Sequence, residues 1–218
     1  MSATALTRAD TSDMFAVHRV FRESLGVAPQ LIGSVPGEDA ERVAAVAGYY
    51  GDILAFLHVH HEGEDELLWP KLVERCPDEA DLVRRIAGQH DAVSTAVQTA
   101  ESHLATWRSE PTMDNAATLA AALITLAVGL GAHLDEEERV ILPLAADHLT
   151  HEEWAQLPAH GMQNFRGERL WLVMGLIREQ MTDPQRAAMD AHMPPPVREF
   201  WVNSGEPMFT AFITDIRR

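Results

Sequence analysis

Two copies of one short motif supply most of the side chains in this sequence that are suited to binding a metal ion. One copy starts at His60 and the other at His133, and the two align without a gap. In each copy the histidine is followed four residues later by a glutamate, Glu64 or Glu137. Residues four apart lie on one face of a helix, about one turn apart. The spacing therefore predicts that each histidine and its glutamate bind a metal ion together.

Two further histidines follow the same repeat. His18 precedes His90 by 72 residues, and His60 precedes His133 by 73 residues. The first half and the second half of the chain are therefore near-copies, each with one lone histidine and one histidine–glutamate pair. This register predicts a pseudo-twofold metal site with six ligands: His18, His60, Glu64, His90, His133 and Glu137.

The neighbours of these residues are predicted to have supporting roles. His58 and His61 point about 160–200° and about 100° away from His60 on a helix, so we expect both to be surface residues or to support the ligands without binding the metal. We also expect a set of scattered histidines to lie at the surface: His103, His148, His151, His160 and His192. Four acidic residues beside the motifs are candidates to orient the ligating imidazoles: Glu62, Asp65, Asp135 and Glu138.

The periodicity of apolar residues predicts an all-α protein. Long helices are expected near 12–26, 38–69, 79–108 and 115–147, with the segment 26–37 as a connection. Pro70 is expected to end or bend the second helix. Four long helices with short connections are typical of an antiparallel, up-down four-helix bundle.

The chain changes character after the second motif. Capping sequences that begin at Thr150 and Thr182 predict further helices, and 193–196 predicts an extended break. Aromatic residues give this part enough apolar surface to pack against the bundle: Trp171, Phe200, Trp201, Phe209 and Phe212. We therefore expect a bundle domain over 12–148 and a helical extension over 149–218.

Composition argues against several classes of protein. The formal net charge of −16 disfavours nucleic acid as a partner and disfavours adsorption to an anionic membrane. The apolar run 119–134 is interpreted as a helix buried in the bundle, not as a membrane span. Cys76 is the only cysteine, which suits a reducing cytoplasm. The sequence leaves open whether the protein is a monomer or a homodimer.

The ligand types restrict the metal. Imidazoles and carboxylates without thiolates suit iron, manganese or zinc. Two carboxylates on symmetry-related helices are suited to bridging two ions, and six protein ligands leave a position open for a small molecule.

These residues resemble the hemerythrin-like proteins, whose cation-binding domain is named for its His-His-Glu pattern. The resemblance rests on His18-Arg-Val-Phe-Arg, on the two motifs with their closing Leu-Trp-Pro and Ile-Leu-Pro, and on Gln89-His90-Asp91. It implies a four-helix bundle that holds two non-haem iron ions, bridged by oxo or hydroxo groups and carboxylates, and that meets dioxygen, peroxide or nitric oxide. The stretch 190–196 also resembles extensions found on some bacterial members.

One departure from the oxygen-carrying members affects the predicted function. In those carriers the third helix supplies two histidines four residues apart, whereas here Ser94 stands four residues after His90. The sequence therefore predicts a vacant or water-filled position on one ion, with Glu23, Glu138 or Tyr50 as alternative occupants. A tyrosine three turns from His60 is otherwise expected to line a channel.

The predicted function is reaction with small oxidants in defence against oxidative or nitrosative stress. The activity expected is decomposition of peroxide or oxidation of nitric oxide. A sensor of dioxygen, redox state or iron, and a storage or carrier protein for iron or dioxygen, are the alternatives.

Overall fold

The computed structural model describes residues 8–218, and within this range the chain is all-α apart from an isolated bridge between Arg8 and Thr150. Two five-residue π-helical turns, Glu137–Ile141 and Trp201–Gly205, interrupt the α-helices. The α-helices of the first part are α1 (Met14–Gly26), α2 (Ala28–Gly33), α3 (Ala40–Leu67), α4 (Trp69–Arg75), α5 (Ala80–Ala87), α6 (Gln89–Ser109), α7 (Met113–Glu136) and α8 (Leu142–His148). Those of the second part are α9 (His151–Trp154), α10 (Gln156–Asn164), α11 (Leu170–Gln180), α12 (Asp183–His192), α13 (Pro195–Phe200) and α14 (Glu206–Ile216).

The long helices α1, α3, α6 and α7 surround one apolar core. Helix α6 packs against α7 and α3, and α1 packs against both α7 and α3. Fully buried side chains such as Phe21, Ile53, Leu57 and Leu126 fill the space between them. This arrangement is consistent with the predicted four-helix bundle.

The segment 26–37 is not the plain connection that the sequence predicted. Ala28–Gly33 forms the short helix α2, which packs against α7 and buries Ala28 and Ile32 completely. Pro29 stands in the first turn of α2, where its missing N–H costs no helical hydrogen bond. The prediction gave the proline too much weight as a helix breaker.

In each motif the α-helix is interrupted just before the proline. In the first copy, α3 ends at Leu67 and α4 begins at Trp69, with Pro70 in its first turn. In the second copy, the π-helical turn links α7 to α8, and the Leu142 N–H donates to the carbonyl of Glu137, five residues back. The second long helix therefore ends near Pro70, as predicted, whereas the π-helical turn was not predicted.

The extension shares the core of the long helices. Leu172, Trp201 and Phe209 belong to the same buried cluster as Phe21 and Leu126. The predicted caps at Thr150 and Thr182 are confirmed, since each forms a full capping box. The predicted break at 193–196 is shorter than expected, because α13 already begins at Pro195.

The apolar run in α7 is less buried than the sequence predicted. The stretch Met113–His148 is long and apolar enough to cross a membrane, yet only 33% of its most apolar window is buried within the protein. One face of α7 contributes Leu119, Leu123 and Leu126 to the core. The opposite face is exposed, with Val128 at 70% exposure.

Candidate metal centre

The structure brings all six predicted ligands together in the interior of the protein. His18 comes from α1, His90 from α6 and Glu137 from the π-helical turn, while the remaining three lie on α3 and α7. His18, Glu64 and Glu137 have no exposed surface, and His90 and His133 are buried. The side chain of His60 is 7% exposed.

The ligand atoms face each other at short range. The His18 Nε2 lies 3.5 Å from the Glu137 Oε2, and the His60 Nε2 lies 3.3 Å from the Glu64 Oε1. The His90 Nε2 lies 3.4 Å from the Glu64 Oε2 and 3.2 Å from the Nε2 of His133. Two groups of four residues have ligand atoms within 4.8 Å of one another: His18, His60, Glu64 and Glu137, and His61, Glu64, His90 and His133. Glu64 belongs to both groups.

His61 lies in the interior and not at the surface, which was one of the two positions predicted for it. His61 is buried, and its ring stacks on the ring of His90 at 4.0 Å with an interplanar angle of 14°. Its ring centroid lies 5.3 Å from that of His133. His61 is also three residues before Glu64, and residues three apart on a helix are neighbours, which was the overlooked signal in the sequence.

Hydrogen bonds from outside the cluster fix the direction of three imidazoles. Asp65 accepts from the Nδ1 of His90 at 2.8 Å, and Glu138 contacts the Nδ1 of His18 at the same distance. Gln89 Oε1 accepts from the Nδ1 of His133 at 2.9 Å. With Nδ1 held in this way, each Nε2 is directed into the cluster, as in metal sites where a supporting residue sets the tautomer.

Two of the four acids expected to orient imidazoles do so, and two do not. Glu62 lies 3.4 Å from the exposed His58, and Asp135 pairs with Arg22. Gln89 takes a role that the sequence analysis gave only to acids. An amide oxygen performs the same function as a carboxylate here, because a neutral imidazole needs one acceptor at Nδ1.

The ligand atoms have no hydrogen-bond partners, although they are buried. This applies to the Nε2 atoms of His18, His60 and His61 and to both carboxylate oxygens of Glu64 and of Glu137. A buried polar atom without a partner is costly, and native proteins rarely keep one without a reason. Seven such atoms that converge on one cavity fit bound cations, since a metal ion would satisfy all of them.

The electrostatics of the metal-free cluster favour the neutral form of three imidazoles. Burial, followed by the neighbouring imidazoles, lowers the pKa of His60 and of His61 well below the usual 6.5 and lowers the pKa of His133 to about 3. Burial alone would also lower the pKa of His90, but the hydrogen bond to Asp65 and the close Glu64 carboxyl outweigh it and raise that pKa to about 9.

The carboxyl groups respond in the opposite sense. Burial, followed by the charge of Glu64, raises the pKa of Glu137 well above 4.5. Burial is also the largest cause of the raised pKa of Glu64. Without a cation the cluster therefore holds protons on its carboxyl groups, and a bound metal would displace them.

The alternative occupants named from the sequence lie elsewhere or act indirectly. Glu23 accepts a hydrogen bond from Gln180, and the Tyr50 hydroxyl donates to the carbonyl of Ser24. Glu138 supports His18 without joining either group of ligand atoms. Ser94 stands where the third helix of the oxygen carriers has a histidine. His61, from α3, lines the same opening as Ser94.

Among the histidines expected at the surface, His160 is an exception. Its side chain is 11% exposed and lies over Gly63, where its Cδ2 would be 3.3 Å from a β-carbon. His160 belongs to α10, so the extension packs on α3 at Gly63, within the first motif. The sequence gave no signal of this contact.

An opening of about 140 Å³ between α3 and α6 leads to the cluster. His61 and His90 form its inner end, and Ser94 lines it beside them. Ser94 does not fill a ligand position, as predicted. Its small side chain leaves space at the entrance instead.

Comparison with known proteins identifies the family. No curated protein and no solved structure matches the chain. The family model described as the hemerythrin HHE cation binding domain matches residues 10–145, which include both motifs and all seven clustered residues. The chain therefore belongs to the hemerythrin HHE cation-binding domain family.

Proposed function

We propose that the cluster binds two iron ions and reacts with small oxidants. The observation that supports this most directly is the set of seven buried ligand atoms without hydrogen-bond partners. Imidazole and carboxylate ligands without thiolate suit iron among the redox-active metals. When bound, the two ions supply electrons and open positions for a small molecule.

The two groups of ligand atoms suggest how the ions are divided. His18 and His60 would hold one ion, and His61, His90 and His133 would hold the other. Glu64 belongs to both groups, and the Oε2 of Glu137 is 3.5 Å from His18 and 3.6 Å from His133. Both carboxylates would therefore bind both ions, and the division of the histidines would give one ion two imidazole ligands and the other three.

The rest of the chain positions these ligands and keeps bulk water away. Phe21 and Phe56 lie beside His60, with ring centroids at 5.3 and 6.5 Å, and Trp69 lies 5.5 Å from His90. The acceptors at Nδ1 hold three imidazoles in the ligating tautomer. A dry, rigid surrounding of this kind strengthens the interaction between the carboxylates and a cation.

The architecture that we propose is an antiparallel, up-down four-helix bundle over 12–148 with a helical extension over 149–218. The contacts of α1, α3, α6 and α7 support the bundle, and contacts of α10 and α11 with α3 support an extension packed on it. We also propose a cytoplasmic protein, which suits the lone, buried Cys76.

The size of the opening supports a small reactant. An opening of about 140 Å³ holds a few water molecules, so it is large enough for peroxide, dioxygen or nitric oxide. The opening ends at His61 and His90, on the side of the ion that would have three imidazoles. We therefore propose that oxidants approach that ion first.

A second candidate, reversible binding of dioxygen, is favoured by His61. The sequence argued against a carrier because the ligand set lacked an imidazole. With His61 in the cluster, the set contains five imidazoles and two carboxylates, so that objection no longer holds.

The proposal predicts that protein reconstituted anaerobically with ferrous iron retains two ions per chain. Oxidation should then produce the near-ultraviolet absorption of a coupled ferric pair. Stopped-flow mixing separates the functions: an enzyme consumes many equivalents of peroxide or nitric oxide, a sensor forms one stable adduct, and a carrier releases dioxygen when the pressure falls. Protein that retains only zinc, or no metal, would contradict the proposal.

Replacing Ser94 with phenylalanine should close the opening without disturbing the ligands. We expect the second-order rate constant for peroxide to fall by at least about tenfold, since the reactant must pass this side chain. Iron content should stay the same. Ser102→Phe is the matched control, because Ser102 lies on the exposed part of α6 and does not line the opening. Equal rates for Ser94→Phe and the native protein would show that reactants enter elsewhere.

A further inference from the structure

The outer face of α7 is exposed and carries no charge. Between 115 and 134 the sequence contains no aspartate, glutamate, lysine or arginine. Val128 and Ile124 are 70% and 46% exposed, although both are large apolar residues. We call the exposed positions between 115 and 134 the α7 face: Ala117, Thr118, Ala121, Ile124, Thr125, Val128, Gly129 and Ala132.

The elements on both sides of α7 extend this uncharged surface. Helix α2 packs against one side of α7, and helix α6 packs against the other side of α7. The segments 26–37 and 92–100, which supply these flanks, also contain no charged residue. In a chain with 33 acidic and 17 basic residues among 218, three adjoining uncharged segments mark a surface of distinct character.

Gly129 shows that this face leaves space that the single chain does not use. A β-carbon at this position would meet no atom within 4 Å. Glycine in the interior of a helix is less stable than alanine, and neither a close contact nor a positive φ requires it here. The space at Gly129, beside the exposed Val128, is open to a side chain from another molecule.

The charges at the two ends of the face have opposite signs. Asp114 lies one turn before Ala117, and it has no ion pair among the described residues. Arg139 lies at the other end, is 70% exposed and has only a 3.6 Å contact with Glu136. If two copies of α7 pack antiparallel about a twofold axis, each Asp114 meets an Arg139 of the second copy.

The same register matches the residues between these ends. Thr125 then faces Val128 of the second copy, and Ala121 faces Ala132. These four residues lie near the middle of the face and have small or medium side chains, which allows close packing of two helices. In a twofold dimer each pairing occurs twice. A register that suits one half of the α7 face therefore also suits the other half.

The area is sufficient for a stable dimer. Twenty residues at about 1.5 Å each give a length of about 30 Å, and three helices side by side give a width of about 25 Å. The product, about 750 Å² per copy, is close to the roughly 800 Å² that each partner buries in a standard interface. A membrane is a poorer fit, because the net charge of −16 opposes approach to an anionic bilayer.

We propose that the α7 face is the interface of a homodimer, in which two copies of α7 pack antiparallel with Val128 against Thr125. Its location also has a consequence for the metal centre. The same helix carries His133 on its inner face, so the interface supports the helix that holds this residue in place.

Sedimentation velocity of the full chain over a concentration series tests this interface. We expect the native protein to be a dimer and Val128→Glu to raise the dimer dissociation constant by at least about 100-fold, since symmetry places two new carboxylates in an apolar interface. Val128 is exposed, so the variant should keep its helical circular dichroism. Ala105→Glu, at an exposed position on α6 outside the α7 face, is the control and should remain dimeric.

A charge swap tests the register. Asp114→Arg alone should weaken the dimer, and Asp114→Arg combined with Arg139→Asp should restore it. A native protein that is monomeric throughout, a dimer that Val128→Glu leaves unchanged, or a double variant that is no stronger than the single one would overturn the proposal. Binding of the native protein to phosphatidylcholine vesicles that Val128→Glu abolishes would overturn it in favour of a membrane surface.

Discussion

Replacing His61 with alanine is expected to reduce the iron content from two ions per chain to one. The affinity for the ion on the His90 side should fall by more than about 100-fold, since even the loss of a residue that only orients a ligand costs 10–100-fold. His61 stacks on His90 at 4.0 Å and has a buried Nε2 without a partner. Its loss leaves His90 and His133 as the only imidazoles for that ion.

His58→Ala is the control for this experiment, because His58 is three residues away on the same helix but exposed. It should keep both ions and the full absorption of the oxidised pair. Iron analysis and titration with ferrous iron measure the difference between the two variants. Two ions in His61→Ala would mean that His61 only packs against His90 and that the original six-ligand prediction was complete.

The sequence predicted most of the cluster because its signals are local. A spacing of four residues sets one helix face, and the repeat of 72 or 73 residues places the two halves in the same register. His18, His90 and the two histidine–glutamate pairs follow from these two facts alone. The structure brings all of them together, as the register predicted.

His61 was missed because only one spacing was considered. On a helix it points about 100° from His60, which suggested the surface, but it is also one turn from Glu64. The spacing of three residues places His61 beside Glu64 on α3, and the assumption of one ligand face per motif concealed this.

Other features depend on contacts between distant segments, which a sequence pattern does not contain. Helix α2 forms because Ala28 and Ile32 can be buried against α7. The contact of His160 with Gly63 joins residues almost a hundred positions apart. The exposure of one face of α7 depends on which helices pack around it, and a uniformly apolar run cannot indicate this.

Removing the metal should destabilise the protein and make its stability depend strongly on pH. A ligand present at 1,000 times its dissociation constant stabilises a folded protein by about 4 kcal/mol, so two ions contribute substantially. Denaturant unfolding with and without a chelator measures this difference. A metal-free protein as stable as the loaded form would contradict metal binding at this site.

In the metal-free protein three of the imidazoles act in the opposite direction to the carboxyl groups, whereas His90, with its pKa raised to about 9, acts in the same direction as the carboxyl groups. The pKa values of His60, His61 and His133 are lowered in the folded state, so the unfolded chain takes up more protons and stability falls as the pH drops below 6.5. The pKa values of Glu64 and Glu137 are raised, so the unfolded chain releases protons first and stability falls as the pH rises above 4.5.

The double variant Glu64→Gln, Glu137→Gln should therefore stabilise the metal-free protein while abolishing iron binding. At pH 8 the native metal-free chain must hold protons on these buried carboxyls or bury their charge, whereas glutamine is neutral and can donate to the Nε2 of a neutral imidazole. Because an uncompensated buried charge costs about 3–5 kcal/mol, we expect a gain of at least about 2 kcal/mol in the free energy of unfolding. The gain should shrink as the pH falls towards 4.5.

Glu62→Gln, at a half-exposed position beside His58, should show neither effect. If the double variant were no more stable than the native protein at pH 8, these carboxyl groups would not destabilise the metal-free protein. The oxygen atoms without partners would then need another explanation.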